Sequence, residues 1–263
     1  MLYISDRWNI FHLFKLLCQK HMNSELKNWL EFIQSSGVPL RKFDDNEVVR
    51  SLGTGCLVDI KDRRFLFTVF HVPKQSSEWV IQIKYNEIVD KIEVYHAGTF
   101  NYLADFEKNE KKMREVEFAF VEVPNDLVCI FQHRNYLGQC LVERPRTIFK
   151  ETDVIDPSLT EVYGFAGEVK PCLMDSGKTL STEHQTYPGL KYDRTEGDYH
   201  CFKLPVDHPG HKSFKGCSGS PIVDSNRKLV GLVNHGCIEK NEVYGVNLAK
   251  CVRTINQSIG VLF

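Results

Sequence analysis

A serine stands in the middle of a tight segment of small residues near the carboxyl end of the chain. Residues 215–221 read KGCSGSP, in which Gly216 precedes and Gly219 follows the central Ser218. Small residues let the backbone turn sharply enough to aim amide N–H groups at one point, and a serine on such a turn can reach a base. Clusters of Gly, Ser and Pro also form ordinary turns. The segment therefore predicts either a nucleophile or a plain turn.

Two further polar residues complete a set that could carry out nucleophilic chemistry. His71 follows the apolar run RRFLFTVF, and Glu117 stands at the head of the run EFAFVEV. A histidine can take the proton of a serine hydroxyl, and a carboxylate can hold the imidazole in the required tautomer. Taken singly, His71 could be a core histidine and Glu117 a solvated charge on a strand. The order along the chain is histidine, acid, serine.

These segments together resemble the trypsin-like (chymotrypsin-fold) serine peptidases over about residues 48–255. TVFH at 68–71 is similar to the family motif T-A-x-H, and EFAF at 117–120 is similar to D-[IV]-A-[LV]. GCSGSP at 216–221 is similar to G-D-S-G-G-P, the motif that supplies the nucleophile. The three motifs occur in the family's order, and this joint match is more specific than any one of them.

The resemblance implies a serine endopeptidase that cleaves protein or peptide substrates through an acyl-enzyme. Its catalytic triad would be His71, Glu117 and Ser218, and the backbone amides of Gly216 and Ser218 would form the oxyanion hole. No metal and no organic cofactor is implied.

The resemblance also implies a substrate pocket beside the nucleophile. Its floor would lie near Lys212, with His235 close by and with Gly236 and Gly245 leaving an open wall. Together with His211, these residues would make the pocket basic or neutral. An acidic or apolar substrate side chain is therefore expected, and a preference for Lys or Arg is not.

Two positions depart from the family pattern. Glu117 replaces the usual aspartate, so Asp105 and Glu115 remain alternative acids for His71. Cys217 replaces the aspartate that in many family members pairs with a liberated amino terminus to order the oxyanion hole, so activation by that route is not expected. The Cys217 thiol could itself be a nucleophile, or it could face the interior of the barrel.

Other functions remain open on the sequence alone. The same fold could serve as a catalytically inactive binding or scaffold module, because a fold does not dictate a function. A latent enzyme that needs an activating protein partner is a further alternative. Five residues could form a metal site, although their spacing matches no zinc motif: His200, Cys201, His208, His211 and Cys237.

The elements that must position the triad are strands. After the amino-terminal region, short runs rich in β-branched and aromatic residues alternate with turn residues, which is typical of an all-β barrel or sandwich. With the family resemblance, this predicts two packed six-stranded antiparallel β-barrels and an active site between them. Residues 46–142, with His71 and Glu117, would form the first barrel, and residues 143–263, with Ser218, the second.

Residues 1–45 are predicted to form an amino-terminal helical extension. Apolar residues recur at helical spacing from a start at Asn23 or Ser24 until Gly37 and Pro39 end the pattern. The earlier stretch 8–17 is apolar nearly all round, which predicts either a second packed helix or a surface for an activating protein partner.

Three later segments complete the prediction of the fold. The polar stretches 99–114 and 173–197 are predicted to be long exposed loops. Residues 248–259 fit a short carboxyl-terminal helix.

Composition sets the cellular context. The 263 residues include 42% hydrophobic side chains and carry a formal net charge of −1, so we expect no nucleic-acid and no membrane partner. Nine cysteines, an odd number without a C-x-x-C pair, indicate reduced thiols. The amino terminus lacks the pattern of a signal peptide or of a membrane span. These features predict a cytoplasmic protein.

Overall fold

The computed structural model describes residues 24–44, 48–74, 78–89, 91–107, 111–134, 139–174 and 179–259. The helices are α1 (Ser24–Ser36), α2 (His211–Phe214) and α3 (Leu248–Ile259), with a 3₁₀ turn at Glu151–Asp153. The strands of the first half are β1 (Val38–Phe43), β2 (Val49–Ile60), β3 (Arg63–Thr68), β4 (Trp79–Asn86), β5 (Lys91–His96), β6 (Asn101–Glu107), β7 (Lys112–Val123), β8 (Ile130–Arg134), β9 (Cys140–Pro145) and β10 (Ile148–Lys150). The strands of the second half are β11 (Tyr163–Met174), β12 (Thr179–Glu196), β13 (Tyr199–Lys203), β14 (Pro221–Asp224), β15 (Leu229–Cys237) and β16 (Glu242–Asn247).

The second half is a closed barrel of six antiparallel strands, in the order β11-β12-β13-β16-β15-β14. Its interior is filled by large buried side chains, among them Phe165, Phe202 and Ile222. The burial of these aromatic and branched side chains stabilises the barrel. Closure also pairs the edge strands with each other, so no strand edge is left open. The predicted second barrel is confirmed.

The first half is an eight-stranded sheet that stays open in its strand pairing. Its order is β5-β4-β1-β2-β3-β7-β6, with β10 running parallel to β2, and β8 and β9 form a separate hairpin. Both faces are covered: Phe67 packs into one apolar cluster and Leu66 into another. The prediction of two closed barrels is therefore confirmed for the second half only. Closure of the first half would require β5 and β6, the two ends of the sheet, to pair, and the sequence pattern of each strand does not specify such a pairing.

The two polar stretches predicted as loops form strands instead. Residues 101–107 and 112–123 pair as the hairpin β6–β7, and residues 179–196 form β12, which pairs with both β11 and β13. Strands exposed on one face carry many polar residues, so their composition resembles that of a loop. The loop predictions for 99–114 and 173–197 were wrong for this reason.

Helix α1 confirms the helix predicted to start at Asn23 or Ser24. Ile33 is fully buried, and the indole N–H of Trp29 donates to the carbonyl of Asp224 at 2.6 Å, so α1 packs on the second barrel. The strand β1 follows it directly and pairs with β2 and β4, within the range 1–45 predicted as helical. The stretch 8–17 lies outside the described residues.

Helix α3 has the predicted bounds and holds the two halves together. Leu248 and Ile255 enter an apolar cluster that also contains Phe118 of β7 and Leu232 of β15. The Lys250 ammonium group lies 2.9 Å from a carboxylate oxygen of Asp198, and it also binds Asp105. Among the helices of the described ranges, none combines the length and apolar character needed to cross a bilayer.

Candidate active site

His71 and Glu117 lie on neighbouring segments of the first sheet. Strands β3 and β7 are paired antiparallel with Thr68 opposite Ala119, which brings the turn after β3 beside the middle of β7. His71 Nδ1 is 3.1 Å from Glu117 Oε2, and the His71 backbone N–H lies 3.4 Å from the same oxygen. Both side chains are partly exposed, with 42% and 29% of their surfaces accessible.

The surroundings of Glu117 favour its ionised form. Burial by itself would raise the pKa of Glu117, but the hydrogen bond from the His71 side chain, the charge of His71 and its backbone N–H act in the opposite direction, as does Lys74. The net effect lowers the pKa of this carboxyl below its usual value. An ionised carboxylate can accept a hydrogen bond from the Nδ1–H of the imidazole. Nε2 then carries no proton and can act as a base.

The segment before Ser218 is a type II β-turn. Lys215 has φ −63° and ψ 119°, Gly216 has φ +102°, and the Cys217 amide donates to the Phe214 carbonyl at 2.9 Å. The positive φ at Gly216 requires glycine, and a Cβ there would collide with the carbonyl oxygen of Glu168. The sharp turn expected from KGCSGSP is therefore present.

Two backbone donors at this turn are unpaired. Within the part of the chain that the structure describes, the amides of Gly216 and Ser218 have no hydrogen-bond acceptor, whereas the Cys217 amide between them is paired. Gly216 is buried and Ser218 is partly buried. Because most buried backbone amides in proteins are paired, two unpaired donors around one serine indicate a place where an external oxygen can bind.

Strands of both halves hold the serine in place. The Ser218 carbonyl accepts from the Thr54 amide at 2.9 Å, and the Gly219 amide donates to Val233 of β15 at 2.7 Å. Gly219 has φ +85°, and a Cβ there would collide with the Thr54 carbonyl oxygen and the Thr68 hydroxyl. Among the described residues, the Ser218 hydroxyl makes no hydrogen bond, including none to His71.

A pocket of about 390 Å³ adjoins the serine. It is lined by His211, Phe214, Lys215, Ser218, Val233, Asn234, His235 and Gly236. The ring of His235 stacks on Tyr244 with centroids 4.5 Å apart. Burial lowers the pKa of His235; the charge of Glu117 opposes this effect and the charge of His71 adds to it.

Two of the four residues predicted to bind substrate line this pocket, namely His235 and Gly236. Gly245 does not line it, because a Cβ on Gly245 would point at Ile222 in the barrel interior. The side chain of Lys212 lies outside the described residues. Asn234 and Lys215 line the pocket although neither was predicted, since no motif singled them out.

The alternative acids are engaged elsewhere. Asp105 binds Lys250 and also lies 3.6 Å from Arg114, and Glu115 lies 3.6 Å from Lys74. The structure thus places Glu117, and neither of these two carboxylates, in contact with His71.

Cys217 faces the barrel interior. Its side chain is fully buried, and burial raises the pKa of its thiol to about 12. A buried thiol of this kind packs as a small hydrophobe and does not attack a substrate.

Within the described residues, no three His, Cys, Asp or Glu side chains lie together as a metal site would require.

Comparison with known proteins bears on the fold. No protein-family model and no curated protein sequence matches the chain. Its structure is similar to a serine endoprotease from Yersinia pestis, with a TM-score of 0.50 and 12% identity, covering 89% of this chain and 66% of that chain. It is also similar to HL collagenase, with a TM-score of 0.50 and 14% identity, covering 88% of this chain and 96% of that chain. These likenesses show that the chain has the chymotrypsin-like fold.

Proposed function

We propose that this protein is a serine endopeptidase whose catalytic triad is His71, Glu117 and Ser218. The observation that carries the proposal is the combination of a histidine–carboxylate contact with a serine flanked by two unpaired amides. Each part occurs in ordinary structures, but here Thr54 and Thr68 of the first sheet border the serine turn of the second barrel, in a chymotrypsin-like fold. The geometry supports acyl transfer, in which a base, a nucleophile and an oxyanion site are all needed.

The residues have distinct roles in the proposed reaction. Ser218 Oγ attacks the carbonyl carbon of the scissile peptide while His71 Nε2 takes its proton, and Glu117 holds the Nδ1–H of the imidazolium. The negative oxygen that forms binds the amides of Gly216 and Ser218, each such donor lowering the barrier by about 3 kcal/mol. His71 then gives the proton to the leaving amine, and water hydrolyses the acyl-enzyme by the same route.

The unformed contact between Ser218 and His71 is compatible with this role. Catalytic hydrogen bonds are often long in the absence of substrate and shorten when it binds. It also supports the second candidate, a chymotrypsin-fold module that binds without catalysis, or a latent enzyme that a partner activates.

The cysteines support a reducing location. Seven cysteines whose side chains the structure describes are free: Cys56, Cys129, Cys140, Cys201, Cys217, Cys237 and Cys251. Free buried thiols are typical of proteins from reducing compartments, so we place the protein in the cytoplasm. A cytoplasmic fraction without the protein, in cells of its source, would contradict this assignment.

Labelling with a fluorophosphonate, which reacts with activated serines, tests the proposal directly. The full chain should be labelled, and labelling should disappear in Ser218→Ala and fall by about 10³-fold or more in His71→Ala. Cys217→Ala and the matched control Ser220→Ala, which removes a buried hydroxyl near Ser218 in the chain, should both keep it. A folded chain that is not labelled would favour the non-catalytic or latent module.

A further inference from the structure

A threonine of the first half makes two hydrogen bonds to the turn that carries Ser218. The Thr54 hydroxyl donates to the carbonyl of Gly216 at 2.8 Å, and the Thr54 backbone N–H donates to the carbonyl of Ser218 at 2.9 Å. The two carbonyls lie on either side of Cys217, so one residue of β2 holds both ends of the segment that contains the two unpaired amides.

The side chain of Thr54 is fixed in the orientation that makes this contact. Only 6% of Thr54 is exposed, and its methyl group packs against Gly37, where a Cβ would lie 3.0 Å away. The Thr54 carbonyl accepts from the Thr68 hydroxyl at 2.7 Å. A β-branched side chain that is packed on its methyl has one rotamer available, so the hydroxyl stays directed at Gly216.

The orientation of these peptides decides whether the site can bind an oxyanion. A type II turn differs from type I by rotation of its central peptide, here the one that joins Lys215 to Gly216 and carries the Gly216 N–H. The Gly216 carbonyl belongs to the next peptide along the chain. The hydrogen bond from Thr54 fixes this carbonyl and so restricts rotation of the central peptide. Cys217 has no charge with which to anchor the turn through an ion pair, so the turn needs a neutral anchor.

We propose that Thr54 is a positioning residue that holds the turn at Gly216 in its type II form and thereby keeps the oxyanion hole ready. The proposal rests on the proposed function for its catalytic consequence, but its structural part concerns the turn alone. Thr54 is not among the residues that line the pocket beside Ser218, and it acts through the backbone of Gly216 and Ser218.

The inactivation kinetics of a fluorophosphonate separate this role from a purely structural one. Thr54→Val keeps the shape and the methyl group but leaves the buried Gly216 carbonyl without a donor. We expect its maximal inactivation rate to fall by about tenfold to a hundredfold, with the reversible affinity for the probe changed by less than about twofold. Thr54→Ser keeps the hydroxyl and should recover most of the rate.

A matched variant controls for the substitution itself. Thr186→Val also removes a partly buried hydroxyl. This hydroxyl accepts a hydrogen bond of 3.3 Å from the Gln34 side chain and is not part of the turn, so the variant should leave the rate unchanged. A rate for Thr54→Val equal to that of the wild type, or a Thr54→Ser variant as slow as Thr54→Val, would overturn the proposal.

Hydrogen exchange decides the structural part even if the wild type is never labelled. The Cys217 amide, which is paired with Phe214 in the type II turn, should exchange about tenfold faster in Thr54→Val than in the wild type or Thr186→Val. Unchanged exchange of this amide would refute the positioning role. Faster exchange in an unlabelled protein would refute the proposed function and leave the role of Thr54 in the turn intact.

Discussion

Glu117 carries one methylene more than the aspartate of the family motif, and the structure shows how this is accommodated. The carboxylate reaches both Nδ1 and the backbone N–H of His71 from its place on β7. These two contacts stabilise the charged form of Glu117 and lower the pKa of its carboxyl. At the residue scale, the proposed triad depends on a carboxylate that stays ionised next to a histidine.

Replacing this carboxylate by an amide tests its role. Glu117→Gln keeps the size of the side chain but no longer stabilises the imidazolium or enforces its tautomer, so we expect fluorophosphonate labelling to slow by about 10⁴-fold. The control Glu115→Gln, two residues away on the same strand, should label at the normal rate because Glu115 contacts Lys74. Equal effects of the two substitutions would argue against Glu117 as the triad acid.

The pocket beside Ser218 makes a prediction about substrates. Its lining in the described residues includes Lys215 and His211 and no carboxylate, so a cationic substrate side chain finds no partner there. Of peptides that differ only at the residue before the scissile bond, those with Glu or Leu should be cleaved at least about tenfold faster than those with Lys. We would compare their kcat/KM values.

Charge reversal provides the control for this prediction. Lys215→Glu should improve cleavage of the Lys peptide, whereas Lys61→Glu, in the turn between β2 and β3 and outside the pocket lining, should not. Preferential cleavage after Lys by the wild type would show that a different surface selects the substrate.

Strand β13 illustrates how a single element makes the fold sensitive to pH. His200 on this strand is 1% exposed and shares a 2.8 Å hydrogen bond with the Thr195 hydroxyl of the neighbouring strand. Desolvation by burial lowers the pKa of His200 to about 4, against the opposing charge of Asp156. The folded state therefore disfavours the protonated ring, which the unfolded chain accepts readily.

The sign of the effect on stability follows. The contribution of neutral His200 is complete above its ordinary pKa of about 6.5 and is lost as the pH falls from there towards 4, by at most about 3 kcal/mol. Urea unfolding at a series of pH values should show this decline in the free energy of unfolding. His200→Gln should decline less over the same range, and an identical decline in both proteins would exclude His200 as its source.

Elements with a clear apolar pattern were predictable, whereas polar strands were not. Helix α3 has the predicted bounds because its buried residues recur at helical spacing, including Leu248 and Ile255. The strand β12 reads TLSTEHQTYPGLKYDRTE, in which polar residues hide the alternation of a strand. Its structure comes from backbone pairing with β11 and β13, which sequence composition does not encode.

At the scale of the whole molecule, the proposed site takes its residues from both halves. His71 and Glu117 come from the first sheet and Ser218 from the barrel, and the ion pairs of Lys250 and a shared apolar cluster join the halves. The triad could be proposed from sequence because its motifs are short and local. The role of Thr54 could not be predicted, because its contact with Gly216 joins residues 162 positions apart. The open strand order of the first sheet could not be predicted either.

The unpaired amides of Gly216 and Ser218 set a limit on how stable this molecule can become. An intramolecular hydrogen bond stabilises a fold by about 1 kcal/mol, a gain that the turn beside Ser218 forgoes at these two amides. A substitution that supplied an internal oxygen to these amides would raise the melting temperature. In the proposed reaction the same substitution would occupy the place of the substrate's oxygen, so greater stability and faster turnover would oppose each other at this turn.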